Sequence, residues 1–342
     1  MIAAFPTVHV EIMGSSQLEE LPACLLEKAI DAFELRNCPK VKDFSILGDL
    51  KTLQEVRIVG TQYRLGSKFY ELPRLIKLSL FAKEIEDIEH LPKLQKLRSL
   101  ELSNLTVQQL PKGIEQFQQL TEVRFSKLTH LTIFPTIKNW KQLKTLWLYQ
   151  LPALTTLPDD FADLESLEHL SLLSLGKKSE AFLLPDSIGT NNSLKELSIN
   201  DSPITHLPNT FNNTSLKKLN LSGLVIQQLP DTIGQLPHLE ELTIYNCPHL
   251  RQLNNAVALL INLKVLRLDT LKEFVHFNCS FKDLVALEKL TLKKLPKVNI
   301  VPNFGDTNDA LKEVTIEHLL QLEQLPESLS KCQQLDLSLI HI

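Results

Sequence analysis

Glycine is scarce in this chain, 10 in 342 residues, and together with only 18 prolines this argues against low-complexity linkers. No apolar run approaches the ~20 residues that a membrane-spanning helix requires. The first residues, Met1 to Glu11 (MIAAFPTVHVE), lack the basic start and long apolar stretch of a Sec signal peptide. Charge of one sign is lacking too: the net value of −4 gives no reason to expect nucleic acid or an anionic membrane as partner. Chemistry-bearing motifs are equally absent. There is no glycine-rich phosphate loop, no His-Glu-x-x-His and no Cys-x-x-Cys, and the ten histidines are dispersed. These absences predict no catalytic residue, no cofactor and no metal ion.

What is present is a pattern, clearest over Gln235 to Leu253 (QLPHLEELTIYNCPHLRQL). Leu242 and Ile244 stand two apart, on one face of a short strand. Leu236, Leu239, Cys247, Leu250 and Leu253 extend the run with threefold spacings, which fit neither an amphipathic helix nor an alternating strand. They fit a chain that crosses a core as a strand, turns, and buries its next leucines on the return. With Leu239 as first position, copies begin at Thr7, Ile30, Leu53, Leu75, Leu97, Leu120, Leu143, Leu167, Leu194, Leu216, Leu263, Leu287, Leu311 and, poorly, Leu335. The steps are 22 to 24 residues, with one of 27 between Leu167 and Leu194. Fourth and sixth positions are apolar nearly throughout, from Val10 and Ile12 to Val314 and Ile316. A unit of this kind cannot bury its own apolar face and must stack on its copies.

These repeats resemble the leucine-rich repeat family along essentially the whole chain. The resemblance implies an α/β solenoid over residues 1–342, a horseshoe of about 14–15 repeats. Its concave side would be a parallel β-sheet and its convex side short helices, 3₁₀ turns and loops. Later copies end in Leu-Pro, as at Leu110-Pro111 and Leu229-Pro230, where proline closes the strand arm and opens a turn of helix. Ile233 and Leu236 after it would face the core, as would Trp140, which aligns with Leu236. The ninth position departs from the asparagine usual in the family. It is Ser15, Cys38, Thr61, Lys83, Ser202 and Cys247, and leucine at 105, 128, 151, 175, 224, 271, 295 and 319. Leucine bonds nothing, so those turns must satisfy their backbone through neighbouring main chain or water. This irregular type resembles the repeats of plant nucleotide-binding immune receptors and of bacterial host-directed effectors. Gly176-Lys-Lys-Ser-Glu, in the long step, is expected to bulge outward.

The five cysteines, at 24, 38, 247, 279 and 332, are odd in number and scattered. Cys38 and Cys247 share the ninth position nine repeats apart, on the order of 40 Å, too far to pair. Buried thiols acting as small apolar residues are the expectation, and with them a reducing compartment. That compartment is the cytoplasm, or a host cell entered without a Sec signal. The sequons at Asn104, Asn200 and Asn220 fall on predicted strands, where a glycan would obstruct the sheet, and read as chance matches.

Function is then to be read from the second, third, fifth, seventh and eighth positions, which point away from the core. Most are small, polar or charged. The exceptions are Phe81, Trp147, Tyr149, Leu173 and Tyr245; Trp147, Tyr149 and Leu173 are expected to form one apolar patch with His169, Arg124 and Glu101 nearby. Grouped exposed aromatics are what partner-binding centres use. The expectation is a non-catalytic module that binds a protein on its concave face. Two alternatives stay open: a recognition or regulatory module of a larger immune-receptor-type or multidomain protein, suggested by the strand pattern Leu335, Leu337, Leu339 near Ile342, and a self-associating structural solenoid with uncapped sheet edges.

Overall fold

The computed structural model describes residues 8–305 and 309–335. The molecule falls into two compact units, Met1–Leu154 and Thr155–Ile342. The first carries seven parallel strands: β1 (Val8–Met13), β2 (Ile30–Arg36), β3 (Glu55–Val59), β4 (Lys77–Phe81), β5 (Ser99–Ser103), β6 (Glu122–Ser126) and β7 (Thr145–Leu151). The second carries seven more: β8 (His169–Leu175), β9 (Glu196–Asn200), β10 (Lys218–Ser222), β11 (Glu241–Tyr245), β12 (Val265–Asp269), β13 (Lys289–Lys293) and β14 (Glu313–Glu317). In each unit every strand pairs with the next in sequence, fourth position against fourth and sixth against sixth. Leu219, Leu242 and Leu266 line up in this way, as do Leu221, Ile244 and Leu268.

The period of two within each strand therefore divides the sheet into a buried row and an open row. Leu242, Ile244, Leu146 and Leu148 are buried, while Trp147, between two of them, is 38% exposed. The returning arms are mostly 3₁₀ turns, at Ala23–Glu27, Asp231–Gln235 and Glu327–Lys331 among others, plus one helical turn at Ser187–Thr190. The proline expectation holds in part: Pro22, Pro230 and Pro326 each stand immediately before a 3₁₀ turn, and the Pro230 carbonyl accepts from the Ile233 N–H at 3.0 Å, but after Pro111 the turn begins only at Ile114 and after Pro208 no helical turn follows. Ile233 and Leu236 are buried behind it. Trp140 is fully buried and its Nε1 donates to the Ile114 carbonyl at 3.1 Å.

The strand exits show how a leucine at the ninth position is accommodated. The eighth residue is left-handed at Gly14, Asn37, Asn104, Lys127, Gln150, Ser174, Asp201, Gly223, Asn246, Thr270, Lys294 and His318. Its N–H carries the ladder one step past the strand to the seventh-position carbonyl of the next coil. Examples are Asn104 to Ser126, Lys127 to Tyr149 and Thr270 to Lys293, each at 2.8–2.9 Å. Main chain thus satisfies main chain, and the ninth side chain is free to be apolar. Where that residue is Ser202, its hydroxyl accepts from the Leu175 N–H at 3.0 Å and donates to the Asn200 carbonyl at 3.0 Å.

Two expectations need correction. Cys38, Cys247, Cys279 and Cys332 are free and buried, but Cys24 is exposed, because it sits on the outward side of the first 3₁₀ turn while Leu25 faces inward. Asn104 lies at the left-handed exit turn and not in a strand, so its side chain is exposed beside the sheet. The long step does bulge, as an exposed loop at 177–181 anchored by buried Phe182. Thr7, Leu337 and Leu339 lie outside the described residues.

Candidate binding surface

In the first unit the open face centres on β6 and β7. Fifth positions stand opposite one another in a parallel ladder, so Arg124 faces Trp147 directly. The guanidinium lies over the indole, 3.4 Å from the ring centroid. Glu122 on the same strand holds it there, accepting from Arg124 Nε at 2.7 Å with Nη2 at 2.6 Å, and accepts in addition from Ser99 Oγ at 3.2 Å. A cation on an aromatic face contributes about 0.5–2 kcal/mol. Here it also fixes the indole, so that little rotamer freedom is left to lose on binding.

Tyr149, two residues on, is 36% exposed. Its ladder neighbour is Ser126, whose hydroxyl donates to Ser103 at 2.8 Å. Small side chains beside it leave the phenol standing proud of the sheet.

Phe81 and Glu101 belong to a second cluster of the same unit. Arg57 reaches across Ser79, which is 4% exposed, to donate to Glu101 two strands away at 3.0 Å. Its Nε lies 3.1 Å from Glu34, and its guanidinium carbon is 4.3 Å from the Phe81 centroid. Phe81 is therefore half-buried beneath Arg57, and Glu101 serves Arg57. Sequence reasoning overlooked Glu122 and Arg57, since periodicity shows which way a residue points and not where a long side chain then travels.

In the second unit, His169 lies 3.1 Å from Glu196 through Nδ1, and Leu173 is half-buried at the seventh position of β8. Tyr245 is 46% exposed at the corresponding place on β11. Its ladder partners are Ser222 and Asp269, and it stands apart from His169 and Leu173 by two intervening strands. Among the described residues no group of three or more His, Cys, Asp or Glu could hold a metal ion. No described helix is long and apolar enough to cross a membrane.

No family profile and no curated protein matches the chain by sequence. Solved structures do match by fold. A leucine-rich repeat protein of Leptospira interrogans superposes with a TM-score of 0.69 at 25% identity, over 93% of this chain and 80% of that one. Drosophila Toll, in its complex with Spatzle, gives a TM-score of 0.67 at 15% identity, over 92% of this chain and 44% of that one. The ectodomain of the Arabidopsis receptor kinase HAESA, in complex with an extended IDA peptide hormone, gives 0.59 at 19%, over 92% and 59%. With coil-on-coil parallel strands, 3₁₀ return arms and these neighbours, the chain is a leucine-rich-repeat protein by fold.

Proposed function

We propose that the protein is a non-catalytic binding module that captures a protein or peptide partner on the open face of its sheet. The observation that carries this reading is the pair Trp147 and Tyr149, exposed on one strand, with Arg124 stacked on the indole and anchored by Glu122. Aromatics held rigid beside a charge-paired arginine are the usual composition of an interface centre. Tyr245 and Leu173 supply contact area in the second unit. The HAESA and Toll structures, solenoids of this fold seen with a peptide and a protein ligand, support the class of partner. The unpaired cysteines fit a reducing compartment, the bacterial cytoplasm or a host cell reached by an effector, and the Leptospira neighbour fits the bacterial version.

The test is affinity capture with the intact chain as bait, compared with Trp147→Ala/Tyr149→Ala. We expect the variant to hold captured partners more than ~10-fold less tightly, with a melting temperature lowered by no more than the loss of the Arg124 stacking contact, about 0.5–2 kcal/mol, because neither ring is in the core. Capture that survives the double substitution removes this surface from consideration.

A further inference from the structure

Cations on the open face of the sheet are held by carboxylates. In the first unit Arg124 is bonded to Glu122, Arg57 to Glu34 and Glu101, and Arg36 to Glu34, while Lys77 lies 3.3 Å from Glu55. In the second, Lys218 lies 3.2 Å from Glu241, Lys289 2.8 Å from Glu313 and Lys293 2.9 Å from Glu317. These pairs account for every lysine and arginine at the third, fifth and seventh positions of the strands except Arg267, at the fifth position of β12. The Arg267 side chain is exposed, and among the described residues it has no ion-pair or hydrogen-bond partner. The rest of its row in this unit is short and uncharged: Ser171, Ser198, Asn220, Thr243, Thr291 and Thr315.

The strand itself shows why. Glu122 stands two residues before Arg124 and Glu34 two before Arg36, and in β12 that place is taken by Val265. Asp269, two residues after Arg267, does not replace it; its Oδ1 accepts from the Thr270 hydroxyl at 2.8 Å. Ladder pairing sets Thr243 on one side of Arg267 and Thr291 on the other, at the strand spacing of ~4.8 Å. Tyr245, 46% exposed, stands diagonally from it on β11 and pairs with Asp269. Glu241 is the other diagonal neighbour on β11, and Lys289 and Lys293 are those on β13. The block centred on Arg267 thus sets Arg267, Lys289 and Lys293 against Glu241 and Asp269, a local excess of cation in a chain of net charge −4.

A guanidinium offers N–H donors in a fixed fork that matches a carboxylate. The other open-face arginines already give theirs to carboxylates of this chain, so a partner would have to displace an internal pair to use them. Arg267 needs no such exchange. We infer that the open face of the second unit captures an acidic residue of the protein or peptide partner. Its carboxylate accepts a forked pair of bonds from Arg267, with the hydroxyls of Thr243 and Thr291 beside it, and an apolar neighbour of that residue rests on Tyr245. Bonds between two charged groups are the strong ones, which makes this contact decisive for the choice of partner. A nucleic acid fits less well, because Glu241 and Asp269 adjoin the guanidinium and leave a place for one anionic group and not for a run of them. The inference rests on the open-face reading and names the chemistry that this part of the face selects.

The test selects short random peptides displayed on phage against the immobilised full chain. Enriched peptides are then synthesised and titrated against the parent, Arg267→Gln, Arg267→Lys and Trp147→Ala/Tyr149→Ala, with an oligothymidylate titrated alongside. Enriched peptides should carry an aspartate or glutamate whose change to the amide weakens binding by about 10-fold, and Arg267→Gln should cause the same loss. Making both changes together should add little to either, because they remove one contact. Arg267→Lys should keep part of the affinity, since the charge stays and the fork is lost. Both Arg267 variants should melt with the parent, as neither breaks a pair within the chain. Peptides indifferent to Arg267→Gln, an empty selection, or tighter binding of the oligothymidylate overturn the inference. Where peptides indifferent to Arg267→Gln are lost with Trp147→Ala/Tyr149→Ala, the acidic partner is withdrawn and the open-face reading stands; indifference to both variants removes both.

Discussion

Two buried tyrosines of the first unit show how much depends on a single hydroxyl. Tyr70 is fully buried and its phenol donates to Asp87 at 3.1 Å, while Asp87 also accepts from Leu65 and Gly66 N–H groups. Tyr63 is equally buried, edge-on to Phe44 at 5.2 Å, but its hydroxyl has no hydrogen-bond partner among the described residues. An unmet buried donor is a cost, so Tyr63→Phe should be neutral or stabilising by up to ~1 kcal/mol, and Tyr70→Phe should lose about 1 kcal/mol. Denaturant melts of the two variants check this, and equal losses would contradict it. Burial raises both phenols above the ordinary range, and Asp87 adds to the effect. A folded pKa above the unfolded value of about 10 leaves stability intact below that pH and erodes it as pH rises further. Tyr63→Phe should therefore flatten the fall in melting temperature above pH ~10. None of this was legible in the sequence, where Tyr63 and Tyr70 differ in no local feature that foretells which hydroxyl finds a carboxylate.

At the scale of the coil, the return arm closes in two ways. In most coils the first-position N–H donates to the backbone carbonyl three residues back, as Leu239 does to Leu236 and Leu263 to Leu260. In the coils beginning at Leu194 and Leu216 a buried asparagine replaces that apolar residue. The side-chain oxygen of Asn191 accepts from Leu194 N–H at 2.9 Å, and that of Asn213 from Leu216 N–H at 2.8 Å. Their amides cap carbonyls of the preceding coil, Phe161 at 2.7 Å for Asn191 and Leu194 at 3.1 Å for Asn213, and Asn213 bonds the Asn191 carbonyl as well. Both are 1% exposed with their polar atoms paired, so the asparagines are structural, an Asx turn carried into the core. Asn213→Ala orphans two N–H groups and two carbonyls at once, and should cost about 2–4 kcal/mol. A urea midpoint that falls with unchanged slope is the expected result; an unmoved midpoint would mean water fills the place. The strand was easier to foresee than this arm. Leu242 and Ile244 recur at fixed spacing because the core admits little else, whereas the left-handed eighth position accepts Gly14, Asn37, Lys127, Ser174 or His318 alike. Backbone geometry repeats there without a residue type to mark it.

For the molecule as a stack, the repeat signal located the strands, the buried row and the exposure of Trp147, because all three follow from one apolar period. The partnerships of Arg57, Arg124 and Glu122 did not follow, since they depend on side chains crossing between coils. A stack also sets how damage travels. Leu242 is fully buried and in register with Leu219 on one side and Leu266 on the other. Leu242→Ala removes the filling shared by three coils and should cost about 2–5 kcal/mol. Each coil touches only its neighbours, so the loss should spread by adjacency and not be shared evenly. Within the second unit, amide hydrogen exchange should speed up most in β10, β11 and β12 and least in β8 and β14, graded by the number of coils between. A uniform rise across the second unit would show instead that its coils open together, and the nearest-neighbour account of this stack would have to be given up.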